Sequence, residues 1–157
     1  MSEWKSLLDE AVRRGDVSSE AGANIDLYLQ GANSPVGAAA IIELLEAGEW
    51  QEIDDRFFKT MAFGTGGLRG RTIGKIVTRA ERGVGGPLDR PQHPCVGTAS
   101  MNFFNLKRAM IGLVTYVKKT FAGEGRPSLV IGHDTRHFSR DFAETCAEVA
   151  INLGCDA

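Results

Sequence analysis

The stretch from Asn102 to Ala157 constrains the fold most. Asn102 is a good N-cap, and Phe103, Leu106, Met110, Leu113, Val114, Val117 and Phe121 follow it at helical spacing. Lys118 and Lys119 sit in the last turn, where the helix dipole favours cations. Gly123-Glu124-Gly125-Arg126-Pro127 reads as a turn, and Leu129-Val130-Ile131 as a short buried strand ending in Gly132-His133-Asp134-Thr135-Arg136. Ser139 is expected to cap a further helix, with Phe142, Ala143, Cys146, Val149, Ala150 and Leu153 inward and Gly154 at C′. A helix that follows a buried strand normally returns the chain to a parallel neighbour. Cys155-Asp156-Ala157 is where that neighbour should begin, so the order predicts an α/β domain ended just before its next strand.

The front of the chain predicts helices instead. Ser2 can cap one carrying Trp4, Leu7, Leu8, Ala11 and Val12 on one face, with Gly15 ending it. A second spans about Ser19 to Gln30 and is broken by Gly31-Ala32-Asn33-Ser34-Pro35, and a third runs from about Val36 to Ala47. Trp50, Ile53 and Phe57 predict a fourth, short one, with Asp54-Asp55-Arg56 on its wet side. Residues 74–98 show no clear period.

Charge divides the chain in the same way. Residues 1–58 carry 4 Lys and Arg against 12 Asp and Glu, whereas residues 59–157 carry 14 against 8. The expected domains are an acidic helical extension over 1–58 and a basic α/β domain over 59–157. The basic part points to an anionic partner, a phosphate ester or a polyanion. A nucleic acid is not expected: residues 69–90 hold six Lys and Arg against two acids but no interleaved aromatics for base stacking.

At 43% hydrophobic and 24% charged the composition is that of a globular protein, and no apolar run approaches the roughly 18 residues of a membrane span. The mixed N-terminus is no secretory signal, and Cys95, Cys146 and Cys155 make no even disulfide set. A reduced, cytoplasmic protein is expected, away from membranes.

Two segments could carry chemistry. Phe63-Gly64-Thr65-Gly66-Gly67-Leu68-Arg69-Gly70-Arg71 packs four glycines and two arginines into nine positions. Glycines let backbone N–H groups approach an anion, an arginine fork can grip two phosphate oxygens, and Thr65 adds a hydroxyl donor. The loop fits neither a Walker A nor a dinucleotide pattern, because Arg69 stands where a glycine is required. A plain glycine-rich turn is the alternative. The second segment is Asp134-Thr135-Arg136, at a strand end where open α/β sheets place ligands; Asp134 could equally hold Arg136 in a purely structural role. His133 and His137 share no helix face, and no metal site is expected.

These residues carry a family resemblance. Phe63–Gly70 looks like the F-G-T-[SAG]-G-x-R-G opening of the α-D-phosphohexomutases, the phosphoglucomutase/phosphomannomutase family. Gly132–Arg136 with Ser139 and Phe142-Ala143 resembles that family's G-x-D-x-R…S…F-A segment. Ser100-Met101-Asn102 is similar to the R-M-N before the same helix, with Ser100 in place of the usual Arg, and Glu52–Met61 looks like the usual lead-in. The resemblance covers about residues 50–157. It implies a three-layer α/β/α domain I with a mixed, mostly parallel sheet, preceded here by the helical extension and incomplete at its end.

The resemblance also implies a chemistry: hexose 1-phosphate and 6-phosphate interconvert through a phosphoserine and a bisphosphorylated sugar, with Mg²⁺ held by a later domain. Thr65, Gly66 and Arg69 would face the substrate phosphate, and Asp134 and Arg136 would brace the site from behind. Thr98-Ala99-Ser100-Met101-Asn102 looks like the catalytic T-A-S-H-[ND] loop, but it lies upstream of the G-x-D-x-R segment and has Met101 where the histidine belongs. No catalytic residue is therefore expected in this chain; the phosphoserine and magnesium loops would lie beyond Ala157. Implied partners are a hexose phosphate, the remaining domains and a glucose 1,6-bisphosphate-type activator. The chain alone is expected to be inactive, the alternative being a stand-alone sugar-phosphate-binding module. Residues 71–100 are longer than the usual connection, and Arg71, Arg79, Arg82 and Arg90 would either rim the site or solvate a mobile loop.

Overall fold

The computed structural model describes residues 3–64 and 67–157. The chain divides into two compact units, Met1–Met101 and Asn102–Ala157. Each is considered by itself.

The first unit contains helices α1 (Glu3–Arg14), α2 (Ser19–Ala32), α3 (Pro35–Glu46), α4 (Trp50–Phe57) and the single turn α5 (Arg79–Arg82). The apolar stripes read from the sequence make its core: Leu8 and Ala11 of α1, Ile25 and Tyr28 of α2, Ile41 and Leu44 of α3, Ile53 and Phe57 of α4. The Tyr28 and Phe57 rings meet edge-on with centroids 5.8 Å apart, the arrangement their quadrupoles favour. The Ser2 cap lies outside the described residues. The expected break after α2 is present, with Asn33 left-handed at its end, and Pro35 opens α3 one residue earlier than expected: the Ser34 hydroxyl accepts from the Gly37 N–H, and a proline at the first helical position has no N–H to leave unpaired.

The second unit contains α6 (Phe103–Thr120) and α7 (Ser139–Asn152). Asn102 caps α6 as expected, its side-chain oxygen accepting from the Asn105 N–H at 3.0 Å. Ser139 does not cap α7. Phe138 occupies the cap position with φ of +66°, and Ser139 is the first helical residue. The two helices pack together around Met110, Val114, Ala150 and Cys155, and Leu129 and Ile131 cover the same cluster.

The expected three-layer α/β/α domain with a mixed sheet does not form. The described residues are mostly helical and contain no sheet, only the isolated bridges Gly64–Gly67 and Ser128–Asp156. Leu129 N–H donates to Asp156 O at 2.8 Å and Asp156 N–H to Pro127 O at 2.9 Å, which is a parallel pairing, but among the described residues it stays an isolated bridge with no further strand beside it. Val130, between two residues that pack inward, points away from them and is fully exposed. The period of two is present; among the described residues a second strand and a second layer are not.

Candidate phosphate-binding site

The glycine-arginine loop belongs to the first unit. Gly64 and Gly67 exchange both backbone hydrogen bonds, at 3.2 and 3.1 Å, which closes the loop tip. Thr65 and Gly66, two of the expected phosphate-facing residues, lie outside the described residues. Arg69 is exposed. Its guanidinium and the loop's backbone N–H groups are the donor types that a phosphate ester needs.

Both ends of the loop are tied to one strip of chain. Met61 N–H donates to Thr98 O at 2.7 Å on the entry side, and Met101 N–H donates to Arg71 O at 2.9 Å on the exit side. Gly70 lies so close that a Cβ there would meet the Met61 side chain and stand 2.9 Å from Ala99 O. Only glycine fits at that crossing.

The strip is the Thr98-Ala99-Ser100-Met101 segment, and its burial decides what its hydroxyls can do. Thr98 is fully buried and donates to Lys59 O at 2.8 Å. Ser100 is 2% exposed, with its Oγ 3.3 Å from Cys95 Sγ. A hydroxyl walled off in this way cannot meet a sugar phosphate in line. The Cys95 thiol is no nucleophile either, since burial pushes its pKa up although the Arg56 charge pulls the other way.

Beneath the strip lies a charged cluster that the sequence reading missed. Arg56, expected on the wet side of α4, is fully buried. Its Nε donates to Glu52 at 2.8 Å and its Nη1 to Glu81 at 2.6 Å, and Nη2 donates to Ile76 O. Glu81 also accepts from Val96 N–H at 2.7 Å and from the Thr78 backbone and hydroxyl, completing a capping box on α5. Gly74 faces the guanidinium, and a Cβ there would lie 2.8 Å from the Glu52 carboxylate. Two signals could have found this cluster: the Glu52/Arg56 spacing beside Ile53/Phe57 on one helix face, and the Thr78-x-x-Glu81 pattern.

The arginines of residues 71–100 are mostly engaged locally. Arg71 stands 3.5 Å from both Glu52 and Asp55, Arg79 pairs with Glu43 at 3.4 Å, and Arg82 donates to Gly86 O and Pro87 O. Lys75, bonded to Asp55 at 2.7 Å, holds that carboxyl below its usual pKa.

The Asp134-Thr135-Arg136 turn belongs to the second unit. Asp134 accepts from Arg136 Nε at 2.8 Å and from the Arg136 backbone N–H at 3.0 Å, and its own N–H donates to Ser139 Oγ at 3.0 Å. The Arg136 bonds lead the causes that hold the Asp134 carboxyl down to about 2. Phe138, left-handed just beyond this turn, keeps its strained backbone while its ring packs beside Phe142 at 5.9 Å. Both side chains of the pair are exposed. Among the described residues no group of three or more His, Cys, Asp or Glu could hold a metal ion. No helix among them is long and apolar enough to cross a membrane.

Residues 95–157 match the family model for "Phosphoglucomutase/phosphomannomutase, alpha/beta/alpha domain I". The chain is 27% identical over 138 residues to a protein named phosphoribomutase from Saccharomyces cerevisiae, a match covering 88% of this chain and 18% of that protein. It is 28% identical over 114 residues to a "Probable phosphoribomutase" from Schizosaccharomyces pombe, covering 73% of this chain and 16% of that one. These matches support the phosphohexomutase family for the domain I region. The chain thus spans less than a fifth of the length of either relative. No solved structure gives a significant match.

Proposed function

We propose that this chain is the front part of a sugar-phosphate mutase, an intramolecular phosphotransferase that interconverts the 1-phosphate and 6-phosphate of a hexose. The observation that carries this reading is the order of features: a closed glycine-arginine loop, then the domain I match over 95–157 that includes the Asp134–Arg136 turn. In this reading Arg69, with Thr65 and Gly66, grips the substrate phosphate by bidentate and backbone hydrogen bonds. Asp134 and Arg136 brace the phosphate-transfer face from behind. The phosphoserine, the Mg²⁺ loop and the bisphosphate activator belong to the rest of the enzyme, a cytoplasmic one acting without nucleic acid or membrane.

The chain alone binds and does not turn over. Calorimetry with glucose 1,6-bisphosphate should give heat with the native chain and none with Arg69→Ala; equal heats would remove the reading. A mutase assay on the chain alone should read zero, and turnover would make Ser100 the suspect. The relatives' names make ribose the second sugar to test, by the same titration with ribose 1,5-bisphosphate. A natural stand-alone binding module is the other reading; the burial of Ser100 fits both. A stop codon directly after codon 157 of the native gene would select it.

A further inference from the structure

We propose that Arg56 is a positioning residue for the loop that carries Arg69, an inference that rests on the phosphate-binding reading of that loop. Arg56 has no exposed surface and cannot touch a ligand. What it does touch is the frame of the loop. Its Nη1 is bonded to Glu81, the same carboxylate that accepts from Val96 N–H at 2.7 Å. Its own carbonyl accepts from Ala99 N–H at 2.9 Å. One residue thereby fixes the strip 96–101 at two points, through its side chain and through its backbone.

That strip is where the loop begins and ends. Thr98 O receives Met61 N–H, and Met101 N–H reaches Arg71 O. The chain leaves the strip at Met61, presents Arg69 and returns at Arg71, so a shift of the strip moves both anchor points. The guanidinium suits this task because its planar fork bonds two carboxylates and a carbonyl in fixed directions. A lysine there would keep the charge and lose the directions. Without either, Glu52 and Glu81 would be buried with no cation between them, and the strip would lose the side-chain half of its attachment.

The test compares Arg56→Lys with Ile41→Ala, a core change in α3 chosen to lower global stability by a similar amount. Two readouts are taken on the full chain well below the unfolding transition. Backbone amide exchange at Met61, Ala99, Met101 and Gly67 should speed by about tenfold in Arg56→Lys and stay native in Ile41→Ala. Affinity for glucose 1,6-bisphosphate should fall by about tenfold or more in the first variant alone, as expected when binding groups are misplaced. Should Arg56→Lys fail to fold, Glu52→Ala removes one partner of the fork and is read in the same way. Native exchange at those four amides in the folded variant overturns the inference. If the native chain binds no bisphosphate, the reading of the loop as a phosphate site fails, while the exchange data still decide whether Arg56 positions it.

Discussion

Arg56 Nη1 and Glu81 Oε1 lie 2.6 Å apart, and neither side chain is more than 2% exposed. The two come from α4 and α5, 25 residues apart; Glu52, one turn back on α4, also pairs with Arg56, and its second carboxylate oxygen lies 3.5 Å from Arg71. Breaking such a pair leaves an uncompensated buried charge, whereas an exposed pair is already solvated. Arg56→Ala should therefore cost about 3–5 kcal/mol of stability in urea unfolding. Arg140→Ala, which removes an exposed pair with Glu144 on α7, should cost no more than about 0.5 kcal/mol. Equal losses would mean that the buried cluster is not what holds the first unit together.

Ser100 is closed off by packing, so it should carry no phosphate. After incubation with glucose 1,6-bisphosphate, intact-mass and peptide spectra should show no added phosphate on Thr98 or Ser100. Phosphate on Ser100 would place a catalytic serine in this chain.

Asp134 should titrate far below an ordinary carboxylate. Its folded pKa is lowered, so the stabilisation from the Arg136 pair is present above the ordinary value near 3.8 and is lost as pH falls toward about 2. A carboxyl NMR titration should give a midpoint near 2, and Arg136→Gln should bring it back up toward 3.8. A midpoint unchanged by that substitution would mean that the pair does not exist in solution.

Val130 stands out from the strand with no neighbour over it. In this chain Val130→Lys should change stability by less than about 0.5 kcal/mol, since surface changes away from packed features cost little. Leu129→Lys, on the packed side, should be several times worse. A large loss from Val130→Lys would reveal a covering layer.

Much of the local structure was legible in the residues. Helices α1 to α4, α6 and α7 follow from their apolar spacing, the Asn102 cap from its side chain, and the end of α7 from Gly154, whose φ is +89°. The phosphohexomutase resemblance rested on short motifs and stands for the domain I region. Pro35 and Ser139 were misjudged by one position because a cap is set by backbone angles that a residue name only biases. The turn α5 went unnoticed although Thr78-x-x-Glu81 announces it.

Two things were decided by tertiary structure alone. The first is the absence of a sheet among the described residues. A strand's alternation is written in Leu129, Val130 and Ile131, but a sheet exists only where another strand meets it, and that is a matter of partners rather than of pattern. The second is the inversion of Arg56. Sequence patterning assigns a charged residue to water because burying a lone ion is costly; Glu52, Glu81 and the Ile76 carbonyl remove that cost by surrounding it. Short-range spacing determined which segments would be helical and which loop was rich in glycine and arginine. Only the folded chain, bringing residues 52, 56, 81 and 96 together, decided how that loop is held.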